Sequence, residues 1–388
     1  MGFNIEMILS FQKYLKESIE AEMKVPDYIE KIAEIYSKKG RSLYVVGGAV
    51  RDHLLGKTPK DFDLATDATP DESIDMLSPY YKVLELGKAF GVIKVMIPED
   101  PEGVEIATFR EETYKDTRRP DSVKYSSIDK DVMRRDLTVN ALFYDIKGGR
   151  IVDLVGGIKD IEGGLIRTVG NPGDRFSEDP LRKLRTVRFA SKLGSKIDRE
   201  THQALLTDPI FHNISVERIR DEFLKILKSS NDVGESINML QSYNMLSQVF
   251  PNLETETNTW SEKFPLVTVA LILRANPIEK IERELNKLSW TSEEINRISF
   301  LLSLLSLSED NVYEIKKKMD TIKFYYLEEI TEFAKLSGID NDLILAFLEY
   351  KPSISSKDLM DQGFKGPELG KEIKKREGLE FKKILDKR

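Results

Sequence analysis

The chain reads as an α+β protein, with a small mixed-sheet domain on the N-terminal side and an all-helical remainder. Three observations predict this. Between Arg41 and about Ile166, short apolar runs alternate with helical patterns and turn residues. From Asp179 onward strand signals nearly vanish, and the rest reads as helices with polar loops. The 388 residues suffice for two to four domains and a sizeable core.

Taken in order, residues 1–24 are expected to form an amphipathic helix, with Ile8, Leu9, Phe11, Leu15 and Ile19 at helical spacing. Pro26 and Asp27 start a second helix, Tyr28–Lys38. The candidate strands are Leu43–Val46, Phe62–Ala65, Lys82–Leu86, Val92–Ile97, Val104–Arg110, Ala141–Asp145 and Arg150–Leu154. No internal repeat of 20–50 residues is evident.

Composition narrows the chemistry. The chain has no Cys, which rules out disulfides, thiol nucleophiles and thiolate metal sites. Its three His (His53, His202 and His212) lack metal-ligand spacing. The net charge of −7 argues against indiscriminate nucleic-acid coating but leaves room for a local basic groove. No apolar run approaches a membrane span, and the N-terminus lacks a signal-peptide pattern, so a cytoplasmic protein is expected.

The stretch Tyr44–Asp63 organises the rest. An apolar strand is broken by Gly47 and Gly48, and Ala49–Leu55 then reads as a short helix carrying Arg51 and Asp52. After Gly56 and a Pro-containing turn, Asp61-Phe62-Asp63-Leu64 reads as a second strand. Residues two apart on a strand share a face, so Asp61 and Asp63 point the same way. Two adjacent carboxylates repel unless a cation lies between them, and hard oxygens suit Mg²⁺. Glycines before a helix bare backbone N–H groups that hold phosphates. Either feature alone is more often structural. Their order, a phosphate cradle and then an acid pair, points to nucleotidyl transfer by two metals.

Further runs add candidates. Val104–Arg110 places Glu105 on the face opposite Val104, Ile106 and Thr108, a candidate third acid. Glu111–Asp131 reads as a long polar loop with Arg118, Arg119 and Pro120, of a length that is usually either functional, here a mobile loop over the active site, or a disordered insertion. Arg134 and Arg135 can clamp triphosphate oxygens, and Asp136 and Asn140 can accept from ribose hydroxyls. Ser177 is expected to cap a helix with Pro180 in its first turn, setting Asp179 and Arg182 three apart on one face. An Asp and an Arg side by side offer an acceptor and a donor that match the pairing edges of C and A and mismatch those of U and G. Each mispaired group would cost about 1–3 kcal/mol. Arg185 and Arg188 continue along that helix toward the phosphates.

These runs together resemble the class II tRNA nucleotidyltransferases, the CCA-adding enzymes, and the similar bacterial poly(A) polymerases of the polymerase β-like superfamily. The matching runs are VVGGAVRD, GKTPKDFDLATDATP, EIATFR, the RRPDSV loop, RRDLTVNAL, DLVGGIKDIEGGLIRTVG, EDPLRKLRTVRFA and ISVERIRDEFLKIL, in family order over about residues 43–228. The resemblance implies a nucleotidyltransferase head (25–168), a neck that recognises the base (169–230), a helical body (231–330) and a tRNA-binding tail (331–388), while the N-terminal helical extension (1–24) is extra to the family pattern. Asp61 and Asp63 would hold Mg²⁺, with Glu105 as the third catalytic acid. Gly48, Arg51 and Arg135 would contact the triphosphate, and Asp136 would lie nearby. Asp179 and Arg182 would read the base, supported by Glu178, with Arg185 and Arg188 beside them. Asp153–Gly164 would be a hinge, and Glu217–Arg218 would brace the neck helix. From Lys351 onward 11 basic residues face 7 acidic ones, which suits a tail contacting RNA.

The implied activity is template-independent addition of CCA to tRNA 3′ ends from CTP and ATP. CC-only addition, A-only addition or a poly(A) tail are the alternatives within the same chemistry. A non-enzymatic RNA-binding scaffold is the alternative outside it. Monomer and homodimer both remain open.

Overall fold

The run Leu43-Tyr44-Val45-Val46 is a strand whose four side chains are all buried, because both faces of the sheet are covered there. Leu43 and Val45 enter one core with Ile29, Ile32, Tyr36 and Val50. Tyr44 and Val46 enter a second with Phe109, Phe143 and Val152. The computed structural model describes residues 18–20, 22–85, 87–113, 122–207, 211, 213–322 and 326–388. The chain divides into two units, Met1–Ile214 and Ser215–Arg388.

The first unit holds an eight-stranded sheet. Its first strands are β1 (Ser18–Glu20), β2 (Leu43–Val46), β3 (Asp63–Thr66), β4 (Lys82–Leu84), β5 (Val92–Ile97) and β6 (Asp100–Thr108). Next, β7 (Arg110–Thr113) and β8 (Ser122–Tyr125) form an antiparallel hairpin of their own. The chain then returns to the sheet as β9 (Leu142–Asp145) and β10 (Arg150–Asp153). The spatial order is β1-β10-β9-β2-β3-β6-β5-β4, and among these pairs only β3 and β6 run parallel.

Helix α1 (Asp27–Lys38) buries Ile29, Ile32, Ala33 and Tyr36, the stripe that helical spacing predicts. α2 (Gly48–Leu54) leaves the end of β2, and α3 (Pro70–Leu77) starts at a Thr69/Glu72 capping box. α4 (Ile128–Met133) and α5 (Gly157–Glu162) follow. Asp153 ties the start of α5 by accepting from the N–H groups of Gly156, Gly157 and Ile158 at 2.8–2.9 Å. A Cβ on Gly157 would lie 2.2 Å from the Thr138 carbonyl oxygen, so only glycine permits that approach. α6 (Pro172–Glu178), α7 (Leu181–Leu193) and α8 (Arg199–Thr207) complete the helices, and a two-residue parallel ladder joins β11 (Leu165–Ile166) to β12 (Lys196–Ile197).

Among its described residues the second unit has helices joined by loops and no strand, from Val216–Ser229 to Gly366–Leu385. Glu217 accepts from the Ser289 hydroxyl within this unit at 2.8 Å. Among the described residues no helix is long and apolar enough to cross a membrane.

Several expectations need correction. Ser18–Glu20, expected within a helix over residues 1–24, pairs antiparallel with Arg150–Val152, because β10 otherwise leaves an open sheet edge there. Residues 1–17 and 21 lie outside the described residues. The second acidic strand starts at Asp63 rather than before it. Val46 is the last residue of β2 to pair, so the chain before Asp63 has no ladder partner. The strand expected over Val104–Arg110 starts at Asp100 and breaks at Phe109. Of the long polar loop, the described residues form the paired strands β7 and β8 and then α4. Arg118, Arg119 and Pro120 fall outside the described residues.

Candidate active site

The antiparallel pairing of β2 and β3 positions the site. Val46, at the end of β2, pairs with Asp63, at the start of β3. Gly47 and Gly48 therefore follow one strand at the same end of the sheet from which Asp61 and Phe62 enter the other. β6 runs parallel to β3 with Leu64 opposite Ile106, which sets Glu105 level with Asp63. Val104, Ile106 and Thr108 are buried and Glu105 is exposed, the alternation expected of a half-buried strand.

Asp63 feels this company. Burial pushes its carboxyl above the usual range. The Glu105 carboxylate adds to the rise, Arg135 opposes it, and Asp61 raises it further. Asp63 thus feels both of the other expected acids, and a cation beside it would relieve the repulsion. Among the described residues no group of three or more His, Asp and Glu side chains closes into a ready-made metal cage. A pair of carboxylates that leaves coordination positions for substrate phosphates is the donor set that suits Mg²⁺.

Next to the acids lies a cationic cradle. Gly47 has φ +70°, a conformation suited to glycine, and its N–H donates to the Leu142 carbonyl at 3.0 Å. A Cβ there would sit 3.9 Å from Arg135 Nη1, and one on Gly48 would sit 3.6 Å from Arg51 Nη2. Arg51 is buried. It donates to Asp52 Oδ1 from Nε at 2.9 Å and from Nη2 at 2.7 Å, and to Asn140 Oδ1 from Nη1. Arg135 donates to Asp131 from Nε at 3.2 Å and from Nη2 at 3.1 Å, and its guanidinium lies 4.6 Å from the centre of the Phe143 ring. Asp131 is 1% exposed and also receives Arg134 Nε at 2.8 Å, so one buried carboxylate orients both arginines. Sequence reasoning missed Asp131, although its i,i+3 and i,i+4 spacing to Arg134 and Arg135 was the available signal.

The chain breaks between α6 and α7. Ser177 is not a cap. It lies inside α6, where Oγ donates to the Gly173 carbonyl at 2.8 Å. Asp179 ends α6 in an extended conformation (φ −145°, ψ 97°), and Pro180 precedes α7. Asp179 and Arg182 therefore do not share one helical face, because the helix starts only at Leu181. The Asp179 carboxylate accepts from the Leu181 N–H at 3.2 Å, and its carbonyl accepts from the Arg182 N–H at 3.0 Å. Arg182 is nearly buried. It donates from Nη1 to Glu178 at 2.6 Å and to the Arg175 carbonyl at 3.1 Å, and from Nη2 to the Arg134 carbonyl at 2.9 Å.

Further along α7, Arg185 donates to Asp136 from Nε at 2.7 Å and from Nη2 at 2.5 Å. Burial pushes the Asp136 carboxyl up, but Arg185 and the Leu137 N–H outweigh it and hold it below the ordinary carboxylate value. Asp136 and Asn140, expected as ribose acceptors, here accept from Arg185 and Arg51. Arg188 lies with its guanidinium 4.3 Å from the centre of the Phe189 ring. The structure thus brings Gly48, Arg51, Asp61, Asp63, Glu105, Arg135, Asp136, Glu178, Asp179, Arg182, Arg185 and Arg188 into one unit.

The chain is similar to known proteins in sequence and in fold. The family described as "Poly A polymerase head domain" matches residues 43–167, and "Probable RNA and SrmB- binding site of polymerase A" matches residues 196–256. The CCA-adding enzyme of Ligilactobacillus salivarius is 35% identical over 343 residues, which cover 82% of this chain and 82% of that protein. Poly(A) polymerase I of Haemophilus influenzae is 35% identical over 235 residues, covering 57% of this chain and 51% of that protein. The crystal structure of the Bacillus stearothermophilus CCA-adding enzyme in complex with CTP shares the fold, with a TM-score of 0.72, 24% identity and 94% of each chain covered.

Proposed function

This chain belongs to the family of CCA-adding enzymes and bacterial poly(A) polymerases, and from that premise we propose that it adds C, C and A to tRNA 3′ ends using CTP and ATP. One observation carries the reading. Asp63 lies under the combined influence of Glu105, Asp61 and Arg135, and Arg135 also borders the Gly47 turn. The acid pair and the cationic cradle are therefore one site.

In this reading the tRNA 3′-hydroxyl attacks the α-phosphate of the incoming nucleotide, the bond to the β-phosphate breaks, and pyrophosphate leaves. Asp61 and Asp63 would hold Mg²⁺, which when bound supplies charge that favours the attacking alkoxide and the departing phosphates. Arg51 and Arg135 bind the triphosphate, each aimed by a carboxylate already in place. Asp179 and Arg182 read the base, with Glu178 fixing Arg182. Asp136 holds Arg185 against the head, so the base-reading helix and the phosphate cradle keep a set spacing. Catalysis is then positioning and charge compensation, with no covalent intermediate. A cytoplasmic location fits a tRNA-processing role.

The likeness to poly(A) polymerase I supports a second reading, tail synthesis by the same chemistry. One experiment separates the two. Transcripts ending before CCA, after C and after CC are incubated with Mg²⁺ and CTP, ATP or both, with UTP and GTP as controls. Growth of all three to one CCA end, followed by a stop, supports CCA addition. Unlimited growth with ATP supports a poly(A) polymerase. No incorporation overturns both.

A further inference from the structure

Phe189 has three arginines around it. The guanidinium carbon of Arg188 lies 4.3 Å from the ring centre, that of Arg51 5.2 Å and that of Arg185 5.8 Å. The three come from different places. Arg51 belongs to α2 beside the Gly-Gly turn, while Arg185 and Arg188 flank the ring on α7. The ring itself is 7% exposed and cannot turn away to solvent. Guanidinium groups within about 6 Å of an aromatic ring centre are attracted to its π electrons, more strongly where water is excluded.

Arg51 and Arg185 are already paired: Arg51 donates to Asp52 and Arg185 to Asp136. One turn beyond Arg188, the Lys192 ammonium loses protons more readily than usual. Burial is the main cause and Arg51 adds to it; Asp52 opposes, and Arg188 and Lys57 add again. Asp52 is the one anion among those four neighbours. Positive charge from Arg51, Arg188 and Lys57 is thus felt at Lys192 in spite of Asp52, an environment that favours a polyanion.

We propose that Phe189 is a positioning residue that gathers Arg51, Arg185 and Arg188 into a seat for the terminal phosphates of the incoming nucleotide, and that the same seat holds pyrophosphate before release. This rests on the reading that the unit binds nucleoside triphosphates. Phe189 touches no reacting atom. Together with Asp52 and Asp136, which hold Arg51 and Arg185, it sets where three guanidinium groups wait, so that fewer side-chain rotamers are lost when phosphate arrives.

The test compares Phe189→Leu and Phe189→Met, which keep an apolar side chain of similar bulk, with Phe189→Tyr, which keeps the ring. Dissociation constants for ATP, CTP and inorganic pyrophosphate are measured by calorimetry in Mg²⁺, alongside KM for nucleotide and for tRNA. The expected result is that all three constants rise together by about five- to tenfold in the Leu and Met variants. Phe189→Tyr should restore them, and the KM for tRNA and the choice among bases should not move. Unchanged constants in the Leu and Met variants would overturn the proposal. So would a rise confined to the KM for tRNA, which would make the three arginines a seat for RNA phosphodiesters. Failure of Phe189→Tyr to recover binding would reduce the residue to packing. If the wild-type protein binds all three ligands but incorporates no nucleotide, the proposed activity fails while the role of Phe189 is still decided by binding.

Discussion

Arg182 donates from Nη1 to the Glu178 carboxylate at 2.6 Å, across the break where α6 ends and α7 begins. The same guanidinium reaches the Arg134 carbonyl at 2.9 Å and so joins the turn between α6 and α7 to the segment that carries Arg135. Glu178→Gln keeps the shape and removes the charge, and Arg182→Ala removes both donors. Discrimination of ATP and CTP against UTP and GTP, measured as ratios of kcat/KM, should fall about tenfold in Glu178→Gln and further in Arg182→Ala. Unchanged nucleotide choice in Arg182→Ala would remove Arg182 from base recognition.

Asp61→Asn and Asp63→Asn should each lower incorporation by at least about a thousandfold, since the remaining acids cannot hold the divalent ion. Asp63→Asn should melt no lower than wild type without divalent metal, because it removes a carboxylate that Glu105 and Asp61 crowd. The raised proton affinity of Asp63 also has a sign. Protons compete with metal from a higher pH than at an ordinary carboxylate, so the Mg²⁺ concentration for half-maximal rate should climb as pH falls. Full turnover in either Asn variant would end the metal assignment.

The Asp136–Arg185 pair is expected to stabilise the first unit. The folded carboxyl lies below its ordinary value of 3.8, so its contribution is present above that pH and fades as pH falls through the lowered value. Asp136→Asn should cost about 1–3 kcal/mol at neutral pH, read by urea denaturation. The gap between variant and wild type should narrow on acidification below 3.8. A gap that does not change with pH would mean the pair contributes through shape alone.

In the second unit, Glu377 is fully buried and accepts from the Tyr350 hydroxyl at 2.7 Å, the Ser353 N–H at 2.8 Å and the Ile354 N–H at 2.7 Å. Burial, with Glu377 beside it, holds the Tyr350 hydroxyl protonated well above the usual range. Glu377→Ala strands the buried Tyr350 hydroxyl and two part-buried N–H groups and should destabilise this unit by about 3 kcal/mol. Amide exchange at Ser353 and Ile354 should speed up in proportion, and Glu377→Gln should fall between. Unaltered exchange would show that the loop is held by other contacts.

Much of the site could be read from residue order because its signals are local. Gly47-Gly48 after an apolar run, two acids spaced by one residue, and arginines three apart on a helix each follow from backbone geometry within a few residues. The apolar run Leu43–Val46 is a strand over the residues expected, since a continuous apolar tetrad suits a sheet covered on both sides. Where local signals competed, the reading failed. Ser177 and Pro180 looked like the start of one helix, yet Asn171 caps an earlier helix through the Asp174 N–H, and Pro180 follows its end.

By itself, then, the sequence determined which residues are the candidates for the chemistry and in which order they come: the glycine turn, the acids, the paired arginines and the helix of arginines. Only the tertiary structure decided their company. That Asp63 meets Glu105 depends on the register of a parallel pair 42 residues apart, Leu64 opposite Ile106. That Arg51 meets Phe189, and Arg182 the Arg134 carbonyl, depends on α7 lying against the head. Such contacts join segments far apart in the chain, and burial of the surfaces between them, which no short window of residues contains, selects the pairing.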